Sequence, residues 1–375
     1  MANPAVIQQA PDAAPNGASN APLYTNPFVR AAHESRQPFH DSTHTIGASS
    51  IQVGPVDVAA MGYMRNVVID VVASGGVGSA TAAADAPWSA LQDISLEDVN
   101  GRPILGPVDG YALYLINKWG GYGGGATFDP ADLPSYSAVG ASGGNFSFKL
   151  RIPVEITERD ALGALPNLTA SATYKLKYSI ASDGLIYSAA PATSNPNIRV
   201  RAYLEAWSQP RDTDARGMPN EVSPPMMGTT QYWSQSTFNV AAGEQRVQNK
   251  RMGNLLRNII LIGRDSSGAR ADIFPDVMRL EWDNKILDTW SKRLQADQQR
   301  ERFGINPDTG VWVLDYTHDA DGVPGNENRN LYIPTVQGTR FEFIGSFASS
   351  GVLTILTNDI APVGGAPLAS GLPGH

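Results

Sequence analysis

Leu255–Asp265 reads LLRNIILIGRD, and Met64–Ala73 reads MRNVVIDVVA. Each is a Val/Ile/Leu strand opened by Arg-Asn, at Arg65-Asn66 and at Arg257-Asn258. Each is followed by a loop containing Gly and Ser and then by a second strand, Ile94–Glu97 (ISLE) in one case and Met278–Trp282 (MRLEW) in the other. A turn comes next, at Asp98–Gly101 and at Asp283–Lys285. Then both halves predict a short helix. The first has an Asp109 cap, runs through Tyr111–Trp119 and stops at Gly120. The second has an Asp288 cap, runs through Trp290–Phe303 and stops at Gly304. Asp at the N-cap and Gly just past the end are ordinary helix punctuation. Gly120 lies as far beyond Glu97 as Gly304 lies beyond Glu281. Strands then return, Phe146–Ile156 matching Val311–Tyr316 and Ile198–Trp207 matching Val352–Asn358. One shared hexapeptide arises easily by chance. The same order of strand, loop, strand, turn, helix and strands points to a duplicated domain.

Outward from these stretches the dominant signal has period two. Phe146, Phe148, Leu150, Ile152, Val154 and Ile156 alternate with polar residues, and so do Tyr174, Leu176, Tyr178 and Ile180. Ile198, Val200, Ala202, Leu204 and Ala206 repeat the pattern. Alternation puts one face of a strand in a core and leaves the other polar. Short runs of this kind between Gly, Pro and Asn turns predict an all-β chain of tandem β-sandwiches. Turn-rich sequence at 209–228 marks the link between them. The expected layout is an extended arm over 1–40, a first sandwich over 41–208, the linker over 209–228, a second sandwich over 229–361 and a Gly/Pro/Ala-rich tail over 362–375.

Composition narrows the function. Of 375 residues, 42% are hydrophobic, enough for two cores, and only 17% are charged. A quarter is usual, so much of the surface is expected to be covered by neighbouring subunits. The net charge of −8 argues against a genome-condensing role, which needs Lys and Arg to neutralise phosphate. The absence of cysteine excludes disulfides, zinc-thiolate sites and Cys nucleophiles. No apolar run reaches the ~18–20 residues of a membrane span, and the N-terminus lacks the pattern of a signal peptide.

Two sandwiches of one order, each with a helix after an early strand pair, resemble the double jelly-roll major capsid proteins. These belong to tailless, membrane-containing double-stranded DNA phages of the tectivirus type and to their adenovirus-like relatives. The resemblance rests on Leu255–Asp265, Met278–Trp282 and Asp288–Gly304, and on Met64–Ala73, Ile94–Gly101 and Asp109–Gly120 in the first half. It covers about 43–360. It implies two tandem eight-stranded jelly rolls and a homotrimer whose six sandwiches give a pseudo-hexagonal outline in an icosahedral virion capsid. It also implies contacts with neighbouring capsomers and with vertex or minor capsid proteins, and assembly in the host cytoplasm. The 1–40 arm resembles the family's inner-face arm, which lies near an internal membrane or neighbouring capsomers. No enzymatic activity, cofactor or sequence-specific nucleic-acid contact is implied. The competing reading is a glycan-binding or glycan-hydrolysing double β-sandwich. Hydrolysis would need two carboxylates facing across a cleft, and no such pair can be placed among the 36 acids.

No catalytic, cofactor-binding or metal-ligating residue is assigned. His40 and His44 are four apart, a zinc spacing only on a helix, and Ser42 and Thr43 favour a turn or strand there. Asp319-Ala320-Asp321-Gly322 resembles part of a calcium loop, but Thr317 and Asn328 stand where further ligands are required. A solvated turn is the better reading, and whether Asp315, Asp319 and Asp321 bind a cation stays open. His318 has no nucleophile elbow to serve. The Gly75–Gly78 and Gly120–Gly125 runs lack the ending of a P-loop. The basic run Arg246–Arg251 is expected to pair with carboxylates of neighbouring subunits. Trp282, Trp290 and Trp312 are expected to anchor a core.

Overall fold

The computed structural model describes residues 25–120, 129–225, 230–283, 285–317, 332–335 and 340–361. The first sandwich comprises β1 (Glu34–Thr45), β2 (Ile51–Asp57), β3 (Tyr63–Ser74), β4 (Leu91–Glu97), β5 (Pro103–Val108), helix α1 (Gly110–Trp119), β6 (Phe146–Pro153), β7 (Lys175–Ile180) and β8 (Asn197–Trp207). The second comprises β9 (Gln231–Val240), β10 (Gly243–Gln248), β11 (Leu255–Asp265), β12 (Val277–Trp282), β13 (Lys285–Ser291), helix α2 (Lys292–Phe303), β14 (Val311–Asp315), β15 (Phe341–Phe347) and β16 (Gly351–Ile360). The first pairs its strands antiparallel in the orders β1-β8-β3-β6 and β2-β7-β4-β5. The second pairs them in the orders β9-β16-β11-β14 and β10-β15-β12-β13. Each strand of one has its counterpart eight strands later in the other. Both are eight-stranded jelly rolls.

The alternation read from the sequence sets the inward faces. Val67, Ile69 and Val71 of β3, Phe148 and Leu150 of β6, and Val200 and Leu204 of β8 are buried in one core. Ile259 and Leu261 of β11, Leu280 of β12, Phe343 of β15 and Leu353 and Ile355 of β16 fill the other. Trp290 and Trp312 belong to this second core, and Trp282 packs against it.

The duplication extends to irregular features. The β3–β8 register slips so that Asn66 faces Glu205 and Met64 faces Ala206, leaving Arg65 as an extra residue. The β11–β16 register slips at the matching place, leaving Arg257 as the extra residue between Leu256 and Asn258. This is a β-bulge, and it turns each Arg out of the ladder. The bulged carbonyls have matching partners: Arg65 O accepts from the Glu155 N–H at 2.8 Å, and Arg257 O from the Tyr316 N–H at 2.9 Å. A two-residue Leu165–Pro166 pairing caps the start of β3, as Ile333–Pro334 caps the start of β11.

Two expectations need correction. The second helix begins at Lys292 with Ser291 as its cap, whose hydroxyl accepts from the Leu294 N–H at 3.2 Å. Asp288 instead lies in β13, because Leu287 and Trp290 are drawn onto the second core as strand residues. The arm boundary at residue 40 falls inside β1, whose ladder to β8 already starts at Glu34. Ahead of it, Phe28 is buried with Tyr63 and Trp207. The expected tail over 362–375 lies outside the described residues, as does the 1–24 part of the arm.

Candidate assembly interface: the seam between the sandwiches

The two sandwiches share one continuous surface. Leu105 of β5 forms a parallel bridge with Trp233 of β9, joining an edge of each. At the start of β9, Thr230 Oγ1 donates to Val154 O at 2.9 Å and Gln231 Nε2 donates to Glu155 O at 2.7 Å. The outward face of the second sandwich is apolar here. Trp233, Ile260, Ile262, Val311, Val313 and Leu356 belong to the core of the first sandwich, not of their own.

Helix α1 sits between the two bodies. Its cap is Asp109, which accepts from the Ala112 N–H at 2.6 Å, and all ten of its residues are buried. On its own side, Asn117 brackets the Arg151 backbone, donating to the carbonyl at 2.6 Å and accepting from the N–H at 2.7 Å. Toward the second sandwich, the Trp119 ring meets Phe303 edge-on at 5.2 Å. Lys118 Nζ lies 3.0 Å from Asp129 and 3.0 Å from Asp308 across the seam. Burial pulls the Lys118 amine down, but Asp308 and Asp129 more than offset this and hold it charged. Asp85 of the first sandwich binds Arg264 and Arg270 of the second, each at 2.6 Å. The Arg270 guanidinium stands 4.8 Å over the Tyr111 ring. Burial raises the phenols of Tyr111 and Tyr114, which stay neutral. The apolar face supplies attraction, and the desolvated ion pairs fix one register. Chemically, this is a joint that makes one body of two domains.

No family model and no curated protein matches the sequence. Solved structures do. The major capsid protein of Sulfolobus Turreted Icosahedral Virus superposes with TM-score 0.61 at 13% identity, over 88% of this chain and 98% of that one. The major capsid protein of bacteriophage PM2 gives 0.55 at 11%, over 90% and 100%. The PBCV-1 virus capsid gives 0.56 at 11%, over 90% and 94%.

The fold is the double jelly roll of viral major capsid proteins.

Within this double jelly roll, the residues singled out from sequence take structural places. His40 and His44 lie on strand β1, not on a helix. His40 Nε2 shares a hydrogen bond with the Tyr178 hydroxyl at 2.8 Å, and burial lowers its pKa. Among the described residues, no group of three or more His, Asp or Glu is placed to hold a metal. Asp315 is held by Arg302 at 2.9 Å and accepts from the Thr317 N–H at 2.8 Å, while His318, Asp319, Asp321 and Asn328 lie outside the described residues. Gly76 packs so tightly that a Cβ there would stand 1.9 Å from Gly143 O, which explains a glycine without any phosphate. Gly121–Gly125 lie outside the described residues.

The basic run departs from its expectation. Arg246 faces Glu281 and Glu342 at 3.4 Å each, and Arg251 binds Asp359 at 2.5 Å. These carboxylates come from the same sandwich, Glu281 on β12, Glu342 on β15 and Asp359 on β16. A polar hollow of about 310 Å³ is lined by Glu34, Arg36, Arg65, Arg151, Glu158 and Glu205. Its guanidiniums and carboxylates neutralise one another, Arg65 reaching Glu34 at 3.0 Å and Glu158 at 3.2 Å. Sequence reasoning missed Asp85, Lys118 and Asp308. One signal was available: Lys118 is the lone charge in an otherwise apolar helix, GYALYLINKW.

Proposed function

We propose that this chain is a major capsid protein that forms pseudo-hexagonal homotrimeric capsomers of an icosahedral virion. The observation that carries this reading is the seam. Two jelly rolls of identical strand order are fused edge to edge by a buried helix and desolvated ion pairs. A fused pair of similar but distinct sandwiches supplies two walls of a six-walled tile, and three copies close the ring. The fold it shares with capsid proteins of an archaeal virus, a phage and PBCV-1 supports the same role. The seam is filled by the buried helix α1, apolar side chains and ion pairs, which supports a structural role. The protein's partners are then copies of itself, neighbouring capsomers, and vertex or minor capsid proteins. Its place is the virion capsid, assembled in the host cytoplasm. Native mass spectrometry of the purified full chain tests this, with negative-stain microscopy alongside. Trimers with a hexagonal outline are expected. A stable monomer at high micromolar concentration refutes the reading.

A further inference from the structure

Lys118 lies one position before the end of α1, and its side chain is 7% exposed. Its ammonium has three acceptors for three protons: Asp129 Oδ2 at 3.0 Å, Asp308 Oδ1 at 3.0 Å and the Tyr114 hydroxyl at 3.2 Å. The Tyr114 and Trp119 rings each stand 5.5 Å from Nζ, and Phe303 packs edge-on against Trp119. A buried amine is thus held among aromatic rings against two carboxyls, one from each sandwich.

The two carboxylates are not equivalent. Both oxygens of Asp129 are used. Its Oδ1 accepts from the Ala131 N–H at 2.9 Å, and its Oδ2 accepts from the Tyr114 hydroxyl at 3.1 Å as well as from Lys118. Asp308 turns Oδ1 to Lys118, while its Oδ2 is buried with no hydrogen-bond partner among the described residues. A buried carboxylate oxygen left unpaired is costly and calls for an explanation. Asp129 is therefore the fixed carboxylate, and Asp308 is the one that can give up an oxygen.

We infer that Lys118 and Asp308 form an isopeptide bond, an amide between Nζ and the Asp308 side-chain carbon, with Asp129 carrying the protons. The balance closes within the site. The Lys118 ammonium passes one proton to Asp129, and the freed amine attacks the Asp308 carboxyl carbon. The Nζ–C bond forms and the C–Oδ2 bond breaks. Oδ2 leaves as water with two protons that began on Nζ, and the amide keeps the third. Asp129 ends as the carboxylate it was at the start, so no oxidant, cofactor or activating group is needed. In water the separate ions are favoured over the amide. Here both are desolvated and held in reach of each other, which removes that advantage and supplies the proximity that an unactivated carboxyl requires. Loss of Oδ2 also removes the orphan acceptor. The bond ties the first sandwich to the second through residues 190 apart, in a chain with no cysteine to do so. Such a tie restricts the unfolded chain as a long-loop disulfide does. It does not depend on the capsomer reading.

Mass spectrometry of the denatured full chain tests the bond. Wild type is expected to weigh one water less than its sequence. Its digest is expected to contain a branched peptide joining Lys118 to Asp308, with trypsin no longer cutting after Lys118. Asp308→Ala is expected to carry the full sequence mass. Asp129→Asn keeps both reacting groups and is expected to slow linkage by about a hundredfold, read as the linked fraction at intervals after synthesis. If a variant fails to fold, the wild-type mass and branched peptide decide alone. Wild type at full sequence mass, cut normally after Lys118, overturns the bond. So does a lost water that maps elsewhere, such as a succinimide at an Asp-Gly or Asn-Gly step. Linkage at an unchanged rate in Asp129→Asn overturns the part given to Asp129.

Discussion

Glu155 accepts from Arg65 Nε at 2.7 Å and from Trp207 Nε1 at 2.7 Å, deep behind the bulge of β3. Burial pushes its carboxyl up from 4.5 to about 7, with Arg65 opposing the shift. The folded chain therefore holds this proton more tightly than the unfolded chain does. Between these values the native state keeps the proton that the unfolded state releases, so raising the pH through the window lowers stability. Glu155→Gln removes the titration. In urea unfolding, the stability of wild type relative to this variant is expected to fall from pH 4.5 to 7, and a flat difference would refute the assignment. Arg65→Met leaves the buried carboxylate without its cation. It is expected to cost about 3–5 kcal/mol at neutral pH by the same measurement.

Helix α2 shows what decides an element's start. Asp288 and Ser291 are both good caps by residue type, and both precede polar sequence with helical propensity. The choice between them is made by β12, which pairs with β13 as far as Val277–Ser291 and holds Asp288 in a strand. Ser291→Ala is expected to cost ~1 kcal/mol in thermal or urea unfolding. Asp288→Ala is expected to change monomer stability by under about 0.5 kcal/mol. Equal losses from the two would place the cap wrongly. Gly304, in contrast, was legible as the helix stop and adopts φ 67°, the left-handed position that glycine occupies without strain. Helix α1 was legible at both ends because Asp109 has no competing strand to join.

At the scale of the whole molecule, the seam predicts that the sandwiches unfold together. The apolar outer face of the second sandwich belongs to the first core, so separating the domains exposes it. Calorimetry of wild type is expected to show one transition. Trp119→Ala removes the ring that meets Phe303 and is expected to cost about 3–5 kcal/mol. Asp85→Ala leaves Arg264 and Arg270, neighbours on the second sandwich, without the carboxylate they share across the seam. The double variant is expected to split the melt into two transitions. A single, merely lowered transition would mean that the domains are coupled elsewhere.

The sequence by itself determined the all-β class, the duplication and the inward face of most strands. These depend on local regularities: period-two alternation, turn residues, and a strand-helix-strand order repeated along the chain. It also carried the repeated Arg-Asn, whose meaning is a bulge that only pairing with β8 and β16 creates. Tertiary structure alone decided which edges meet. An outward Ile260 or Val313 looks the same in sequence whether it covers a helix, a second domain or another chain. The partners of Lys118 are likewise invisible along the chain, since Asp308 is remote in sequence and reaches it only across the seam. Alternation tells a residue which face it is on, and only the packing of whole sheets tells that face what it touches.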